Sequence, residues 1–179
     1  MTKSVENAFL SYGNEEAPVK VEVFLNLACP YCAKFFQEAD EALTPYIQNG
    51  SVQYIIKHYD KPREMLLYGT LVNLFLDYDH PERIYEIMKD LFAKQNQWSE
   101  EDSHFIKKML TEQYGLKEEP NNIDISLKIT AEAIKRQVKM VPTVFINEKE
   151  FQYPVEIDAQ QLMEEIERSK GDGSLLPKI

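Results

Sequence analysis

The stretch VKVEVFLNLACPYCAKFF, residues 19–36, decides the fold, because a strand pattern changes into a helix pattern within it. Its first part is rich in β-branched residues, with valine and leucine at every second position, which is typical of a strand. Apolar residues recur at helical spacing from Pro30 onward. The two cysteines of the chain, Cys29 and Cys32, lie where the pattern changes. The sequence therefore predicts that both belong to a strand-to-helix junction.

The region after this helix contains a second strand and then a long helical segment. VQYIIKHY (52–59) has strand character, so the first three elements predict a β-α-β unit with parallel strands and a right-handed crossover. Residues 62–138 have helical patterns. Within them Pro81 marks one helix start, and Ser99 with Asp102 is typical of a capping box that opens another helix.

The C-terminal region returns to a period of two. PTVFIN (142–147) and FQYPV (151–155) flank a polar EKE and predict an antiparallel hairpin. Asp158, with Gln161 three residues later, is expected to cap a last helix. The order of elements predicts an α/β fold, a mixed sheet with helices on both faces and an inserted all-helical subdomain.

Composition restricts the possible partners. The chain has 179 residues, of which 44% are hydrophobic and 28% charged, and its formal net charge is -10. An acidic surface disfavours nucleic acids and anionic membranes as partners. No apolar run approaches the ~20 residues that span a bilayer. The N-terminus lacks a basic segment followed by an apolar core, so a cytoplasmic location is expected, or an extracytoplasmic one if a signal peptide has been removed.

The position of the cysteine pair favours thiol chemistry. Pro30 suits the first position of a helix, so a thiolate at Cys29 would face free backbone N–H groups and the positive end of the helix dipole. The dipole alone contributes at most ~2 kcal/mol, which lowers a thiol pKa by no more than about 1.5. Cys32 lies one turn deeper on the same helix face. We therefore expect Cys29, at an exposed helix tip, to attack disulfides and Cys32 to resolve the mixed disulfide.

Other uses of the cysteines are less favoured. A zinc site needs about four ligands. The chain has no second cysteine pair, and its three histidines, His58, His80 and His104, are dispersed along the sequence. We expect no metal and no cofactor. Two inert buried cysteines are also disfavoured by the proline between them and by the strand-to-helix context.

Three motifs carry a resemblance to a known family. They are APVKVEVFLNLACPYCAKF, the long helical segment, and VPTVFIN with its hairpin and terminal helix. Together they span about residues 10–170 and resemble the DsbA-like thiol–disulfide oxidoreductases of the thioredoxin superfamily. The resemblance implies a thioredoxin-like domain formed by residues 1–61 and 139–179, and a helical insertion formed by residues 62–138.

The resemblance also implies roles for individual residues. It implies a catalytic Cys29–Cys32 disulfide with Pro30 and Tyr31 between the cysteines. It further implies a cis peptide bond at Pro142, a residue that by itself would mark only a loop or a strand end. The preceding residue, Val141, would offer its backbone to an extended peptide. Valine there resembles the oxidase branch of the family more than the isomerase branch.

The chain departs from the family pattern at one position. Many relatives carry a buried acid six residues before the nucleophile, where this chain has Val23. Glu22 is adjacent, but its side chain is expected on the other face of the strand. His58 and Trp98 are interpreted as structural core residues.

The implied activity is disulfide exchange with protein or peptide substrates and with an unidentified redox partner. One alternative is a reductase of glutathione-linked or small-molecule disulfides, since CPYC also occurs in glutaredoxins. Those proteins are shorter and carry a glycine pair that this chain lacks. The other alternative is a non-enzymatic adaptor that uses the cysteines as a redox sensor.

Overall fold

A computed structural model of the protein describes residues 9–174. Within these residues the chain forms a 5-stranded mixed sheet with helices packed on its faces. The strands are β1 (Leu10–Tyr12), β2 (Val19–Leu25), β3 (Val52–His58), β4 (Thr143–Ile146) and β5 (Lys149–Gln152). The helices are α1 (Pro30–Gln48), α2 (Leu67–Asn73), α3 (Pro81–Ala93), α4 (Gln95–Trp98), α5 (Ser103–Tyr114), α6 (Asn122–Lys135) and α7 (Ala159–Ser174), with a 3₁₀ turn at Glu64–Leu66.

The sheet has the predicted β-α-β unit at its centre. Its strand order is β1-β3-β2-β4-β5. β2 and β3 run parallel, with Val21 opposite Tyr54, and α1 connects them. β4 lies antiparallel to β2 and forms a hairpin with β5. The predicted α/β class and the mixed sheet are therefore confirmed.

The sheet differs from the prediction at two places. β1, antiparallel to β3 at the sheet edge, was not predicted, because a strand of 3 residues is too short for a period of two to stand out. β5 begins at Lys149, two residues before the predicted FQYPV strand. Asn147 and Glu148 both have positive φ values, 44° and 74°, so these two residues make the tight turn that the EKE segment was expected to provide.

The first and last helices begin as predicted. Pro30 is the first residue of α1. The first turn of α7 is closed by two reciprocal hydrogen bonds: the backbone N–H of Gln161 donates to Asp158 Oδ1, and that of Asp158 donates to Gln161 Oε1, each at 2.9 Å. This is the capping box that the sequence predicted.

The prediction was wrong about the start of α5 and about the helix around α2. Asp102, not Ser99, caps α5: its Oδ1 accepts from the N–H of Phe105 at 2.8 Å. Ser99 instead ends α4. The apolar segment 63–78, part of the helical pattern predicted for residues 62–138, is not one continuous helix: α2 ends at Asn73, because the chain then turns through short-range backbone bonds.

The main hydrophobic core joins the sheet, α1 and the helices of the 62–138 segment. Val23, Phe36, Met88, Trp98 and Leu110 belong to one buried cluster. Trp98, the single tryptophan, is 1% exposed and donates its Nε1–H to the carbonyl of Leu91 at 2.9 Å, which fits its predicted core role. Within residues 9–174 no helix is long and apolar enough to cross a bilayer.

A smaller cluster lies on the opposite face of the sheet, under α6. It includes Phe24, Ile129 and Phe145. The helices α1 and α6 thus cover opposite faces, which leaves the end of β2 and the start of α1 at the edge between them. The predicted division into a sheet domain and a helical insertion stays a prediction.

Candidate active site

The CPYC segment lies at the N-terminus of α1. Cys29 is the N-cap residue, with φ -84° and ψ 122°, and Pro30 is the first helical residue. Cys32 is in the first turn and fully buried. The expectation of an exposed tip is wrong for Cys29 itself, which is only 5% exposed, whereas the neighbouring Tyr31 is 58% exposed. The Val141 segment lies against Cys29, with its carbonyl 3.7 Å from the sulfur.

The sulfur of Cys29 is surrounded by groups that favour a negative charge. The hydrogen bond from Cys32 is the largest cause that lowers the pKa of Cys29 to about 7, and burial opposes it. The backbone N–H groups of Cys32 and Tyr31 and the positive charge of Arg63 add to the lowering. As a thiol, Cys29 donates to the carbonyl of Val141 at 3.7 Å. Cys29 can therefore ionise near neutral pH.

The sulfur of Cys32 has the opposite electrostatic environment. Burial, followed by the hydrogen bond and the charge of Cys29, raises the pKa of Cys32 well above its usual value. Its Sγ accepts from the backbone N–H of Asn26 at 3.4 Å. The two thiols, both free in this structure, therefore ionise in a defined order, with Cys29 first.

The segment opposite the cysteines is the start of β4. The Val141–Pro142 peptide bond is cis, as predicted. Val141 is half-buried, and its carbonyl faces the sulfur of Cys29. The structure thus brings together the predicted nucleophile and the residue before the proline. A second cis bond, Tyr153–Pro154, was not predicted.

His58 supports the loop that leads into the cysteines. Its ring is 1% exposed, its Nε2 accepts from the N–H of Leu27 at 3.0 Å, and its Nδ1 lies 2.9 Å from Asp60 Oδ1. Because Nε2 accepts, the proton of the neutral ring belongs on Nδ1 and faces the carboxylate. Asp60 also accepts from Asn73 at 2.9 Å and from Ser126 at 2.5 Å. This agrees with the interpretation of His58 as a satisfied structural histidine.

Two amide side chains in the site were missed by the sequence analysis. Asn26 accepts from the N–H of Ala28 at 2.9 Å and donates to the carbonyl of Tyr59 at 3.2 Å. Gln95 of α4 donates to the carbonyls of Leu27 and Cys29. The only available signal was a polar amide at an element end, and that pattern is common in surface positions.

The acid beside Val23 lies on the opposite face of the sheet, as predicted. Glu22 pairs with Lys57 at 2.7 Å and with Arg136 at 2.9 Å. Burial alone would raise the pKa of Glu22, but the hydrogen bonds and charges of Arg136 and Lys57 outweigh it and lower the pKa. Val23 itself is fully buried.

A groove of about 670 Å³ opens beside the helix tip. Ala28 and Pro30 form the wall on the side of α1. The 62–138 segment supplies the rest of the lining, namely Arg63, Glu64, Met65, Tyr68, Ser99 and Glu100. Among residues 9–174, no group of three or more His, Cys, Asp or Glu side chains is placed to hold a metal ion.

The family model described as Thioredoxin matches residues 6–166. The chain belongs to the thioredoxin family. No curated protein matches its sequence.

Solved structures agree with that assignment. A conserved protein of unknown function from Enterococcus faecalis is 33% identical, with a TM-score of 0.82, and the match covers 88% of this chain and 89% of that chain. The catalytic domain of ScsC from Proteus mirabilis is 18% identical, with a TM-score of 0.71 over 92% of this chain and 90% of that chain. BdbD from Bacillus subtilis is 16% identical, with a TM-score of 0.64 over 90% and 92%. The last two likenesses show the shared fold.

Proposed function

We propose that this protein is a thiol–disulfide oxidoreductase that exchanges disulfides with protein or peptide substrates through Cys29 and Cys32. The observation that carries the proposal is the opposite behaviour of the two sulfurs. The pKa of Cys29 is lowered to about 7, whereas that of the buried Cys32 is raised. A thiolate is the attacking form of cysteine, and a good leaving group has a low pKa, so both properties belong to Cys29.

The reaction is a two-electron exchange. In the oxidising direction a substrate thiolate attacks Sγ of Cys29 in the Cys29–Cys32 disulfide, and Cys32 leaves as a thiolate that takes up a proton. A second substrate thiolate then attacks the first substrate sulfur, the one bonded to Cys29 in the mixed disulfide; a substrate disulfide forms, the bond to Cys29 breaks, and Cys29 leaves as a thiolate. The substrate loses two electrons and its two thiol protons, and the protein gains two electrons. The reducing direction is the reverse sequence of steps.

The substrate surface in this proposal consists of the helix tip, the Val141 segment and the groove beside Pro30. The carbonyl of Val141 lies 3.7 Å from the sulfur of Cys29, so a peptide strand paired with Val141 would bring its own sulfur to the nucleophile. Tyr31 and Met140 are 58% and 42% exposed, and they offer apolar surface beside that path. The redox partner is proposed to use the same surface, since both reactions need access to Cys29.

The proposal is tested by trapping. Cys29→Ser is expected to abolish exchange with an oxidised peptide, whereas Cys32→Ser retains the nucleophile and accumulates a mixed disulfide that is visible on a non-reducing gel. Equal trapping by the two variants would contradict the assignment of roles.

The alternatives are separated by turnover assays. An enzyme accelerates insulin reduction by dithiothreitol, whereas an adaptor that only senses redox state leaves the rate unchanged. Turnover of a glutathione mixed disulfide at a rate above that of peptide disulfides would favour the small-molecule alternative.

A further inference from the structure

We propose that Gln95 is a positioning residue for the reaction assigned above: its side-chain amide fixes the loop that holds the nucleophilic sulfur of Cys29. This inference deepens the proposed function and rests on it. Gln95 lies outside the CPYC and VPT motifs. It comes from the helical segment, at the first residue of α4.

Both side-chain hydrogen bonds that the structure gives Gln95 go to the active-site loop. Its Nε2 donates to the carbonyl of Leu27 at 2.7 Å and to the carbonyl of Cys29 at 3.0 Å. Gln95 is 9% exposed, so water competes little for either bond. One amide nitrogen carries two hydrogens, and here each hydrogen has its own acceptor.

The loop carbonyls need this donor. Leu27 is fully buried, and a buried carbonyl left without a partner costs about 1–3 kcal/mol. The carbonyl of Cys29 accepts the first bond of α1, from the N–H of Ala33 at 3.1 Å, and Gln95 occupies its second acceptor position. A neutral amide is the side chain that can donate twice at this site, because a carboxylate of the same length accepts only.

These two hydrogen bonds link Gln95 to the reactive sulfur of Cys29 through the backbone of the loop. One carbonyl belongs to Cys29 itself and the other to Leu27, two residues earlier, so the two bonds hold the backbone that leads into the N-cap. The orientation of Cys29 at the N-cap brings the sulfur to the N–H groups of Tyr31 and Cys32, which help to lower the pKa of Cys29. If the carbonyls lose their donor, the loop can turn toward solvent and the sulfur moves away from these groups.

The test compares Gln95→Met with the matched control Gln97→Met. Methionine keeps a similar length and volume but removes both donors. Gln97 lies on the same short helix and is exposed, so the same substitution there leaves the loop untouched. We expect the pKa of Cys29, measured by thiolate absorbance near 240 nm, to rise from about 7 toward 9.0 in Gln95→Met and to stay unchanged in Gln97→Met.

Two further variants keep the test decisive if Gln95→Met fails to fold. Gln95→Asn keeps the amide but is one methylene shorter, so it reaches one of the two carbonyls at most, and we expect an intermediate pKa. Gln95→Glu replaces donors by acceptors and brings a negative charge toward the thiolate, so it should raise the pKa most. The order Gln, Asn, Met, Glu from lowest to highest is not expected from a purely structural role.

Two outcomes would overturn the inference. One is an unchanged pKa of Cys29 in both Gln95→Met and Gln95→Asn, with only the unfolding midpoint lowered, which would make Gln95 a structural residue alone. The other is a rise of equal size in Gln97→Met. Both are distinct from failure of the proposed function, because the pKa is measured without substrate, whereas the proposed function fails if Cys32→Ser traps no mixed disulfide with an oxidised peptide.

Discussion

At the scale of single residues, the contact between the two sulfurs acts in opposite directions on the pKa values of Cys29 and Cys32. The hydrogen bond between Cys32 and Cys29 lowers the pKa of Cys29 and raises that of Cys32. The donor loses its own tendency to ionise, since ionisation would remove the proton that it shares. Burial is the largest cause of the raised pKa at Cys32, and it opposes the lowering at Cys29. The low pKa of Cys29 therefore comes mainly from the sulfur–sulfur contact, with the helix N–H groups in a supporting role, whereas the high pKa of Cys32 comes mainly from its burial.

Because the hydrogen bond from Cys32 lowers the pKa of Cys29, we expect two substitutions at Cys32 to affect that pKa differently. Cys32→Ala removes the donor, so the pKa of Cys29 should rise from about 7 toward 9.0. Cys32→Ser keeps an O–H donor, so the pKa should stay low. At neutral pH, alkylation of Cys29 by iodoacetamide should be about twofold to fivefold slower in the alanine variant, because fewer molecules carry the thiolate, although each thiolate is more nucleophilic.

The measurement is the rate of alkylation between pH 5 and pH 10. A midpoint that is the same in both variants would show that the backbone N–H groups and Arg63, not the neighbouring thiol, control Cys29. A lowered pKa at Cys29 stabilises the folded reduced protein above the unfolded pKa, and this stabilisation is lost as the pH falls through about 7.

Only some residues of the candidate site could be predicted from the sequence. Cys29 and Cys32 were proposed from their position at a strand-to-helix junction, whereas Val141 and Pro142 were proposed from the family resemblance, since a proline alone marks only a loop or a strand end. Asn26 and Gln95 were not, because an amide becomes part of the site only through carbonyls that are distant in sequence. The burial of Cys29 was missed for a similar reason: the segment that covers it is separated from it by more than a hundred residues.

At the scale of elements, α2 packs directly against the active-site loop. A Cβ atom at Gly69 would lie 1.8 Å from Asn26 Oδ1 and 2.9 Å from the backbone nitrogen of Ala28. Asn26 has little room to move, since its side chain already bonds Ala28 and Tyr59. Glycine at position 69 therefore permits the close approach of the helix and the loop.

Gly69→Ala is predicted to destabilise the protein. Alanine favours a helix by about 0.5–1 kcal/mol over glycine, but the steric overlap should cost about 1–3 kcal/mol, so the net effect is a loss. Gly171→Ala in α7 is the control, because a Cβ there meets nothing within 4 Å and a small gain is expected. Urea unfolding measures both changes. A Gly69→Ala variant as stable as wild type would show that Asn26 can move aside at little cost.

An ion cluster joins β2, β3 and the C-terminal end of α6, and it consists of Glu22, Lys57, Glu132 and Arg136. We expect the protein to lose stability as the pH falls and this cluster loses charge. Within residues 9–174, Glu22→Gln leaves Glu132, at 2.6 Å, as the remaining ion-pair partner of Lys57, and it should cost about 2–3 kcal/mol at pH 7, below the full ~3–5 kcal/mol of a broken buried pair. The pKa of Glu22 is lowered on folding from 4.5, so its contribution is present above pH 4.5 and is lost as the pH falls further.

The free energy of unfolding at pH 7 and at pH 3.5 measures this effect. The difference between Glu22→Gln and wild type should shrink at the lower pH, whereas the exposed control Glu101→Gln should match wild type at both. An equal difference at the two pH values would mean that the cost comes from packing, not charge.

Among the elements, predictability followed length and periodicity. α1 and β2 were predicted closely, because long amphipathic and alternating patterns leave few other structures. β1 was missed because pairing with β3, not its own pattern, makes it a strand. The start of β5 was misplaced because the positive φ values at Asn147 and Glu148 are properties of the closed hairpin, and glutamate rarely signals such a conformation.

At the scale of the whole molecule, the main hydrophobic core is shared between the sheet and the helical segment 62–138. Trp98 from the helical segment belongs to the same buried cluster as Val23 of the sheet and Cys32 of α1. The bonds from Gln95 to the active-site loop cross the same boundary. The segment 62–138 is thus proposed as an insertion in chain order that does not fold as a separate unit.

Because the helical segment and the sheet share one core, we expect a single cooperative unfolding transition in urea. Trp98 is the only tryptophan, so its fluorescence reports on the helical segment. Cys32 is fully buried, so its alkylation by a short pulse of thiol reagent, in a Cys29→Ser variant, reports on the sheet and α1. Since both residues share one core, the two probes should give the same midpoint and the same dependence on urea. Loss of Trp98 signal at a lower urea concentration, with Cys32 still protected, would instead identify the helical segment as a unit that unfolds by itself, and the contacts of Gln95 would then be broken before the sheet unfolds.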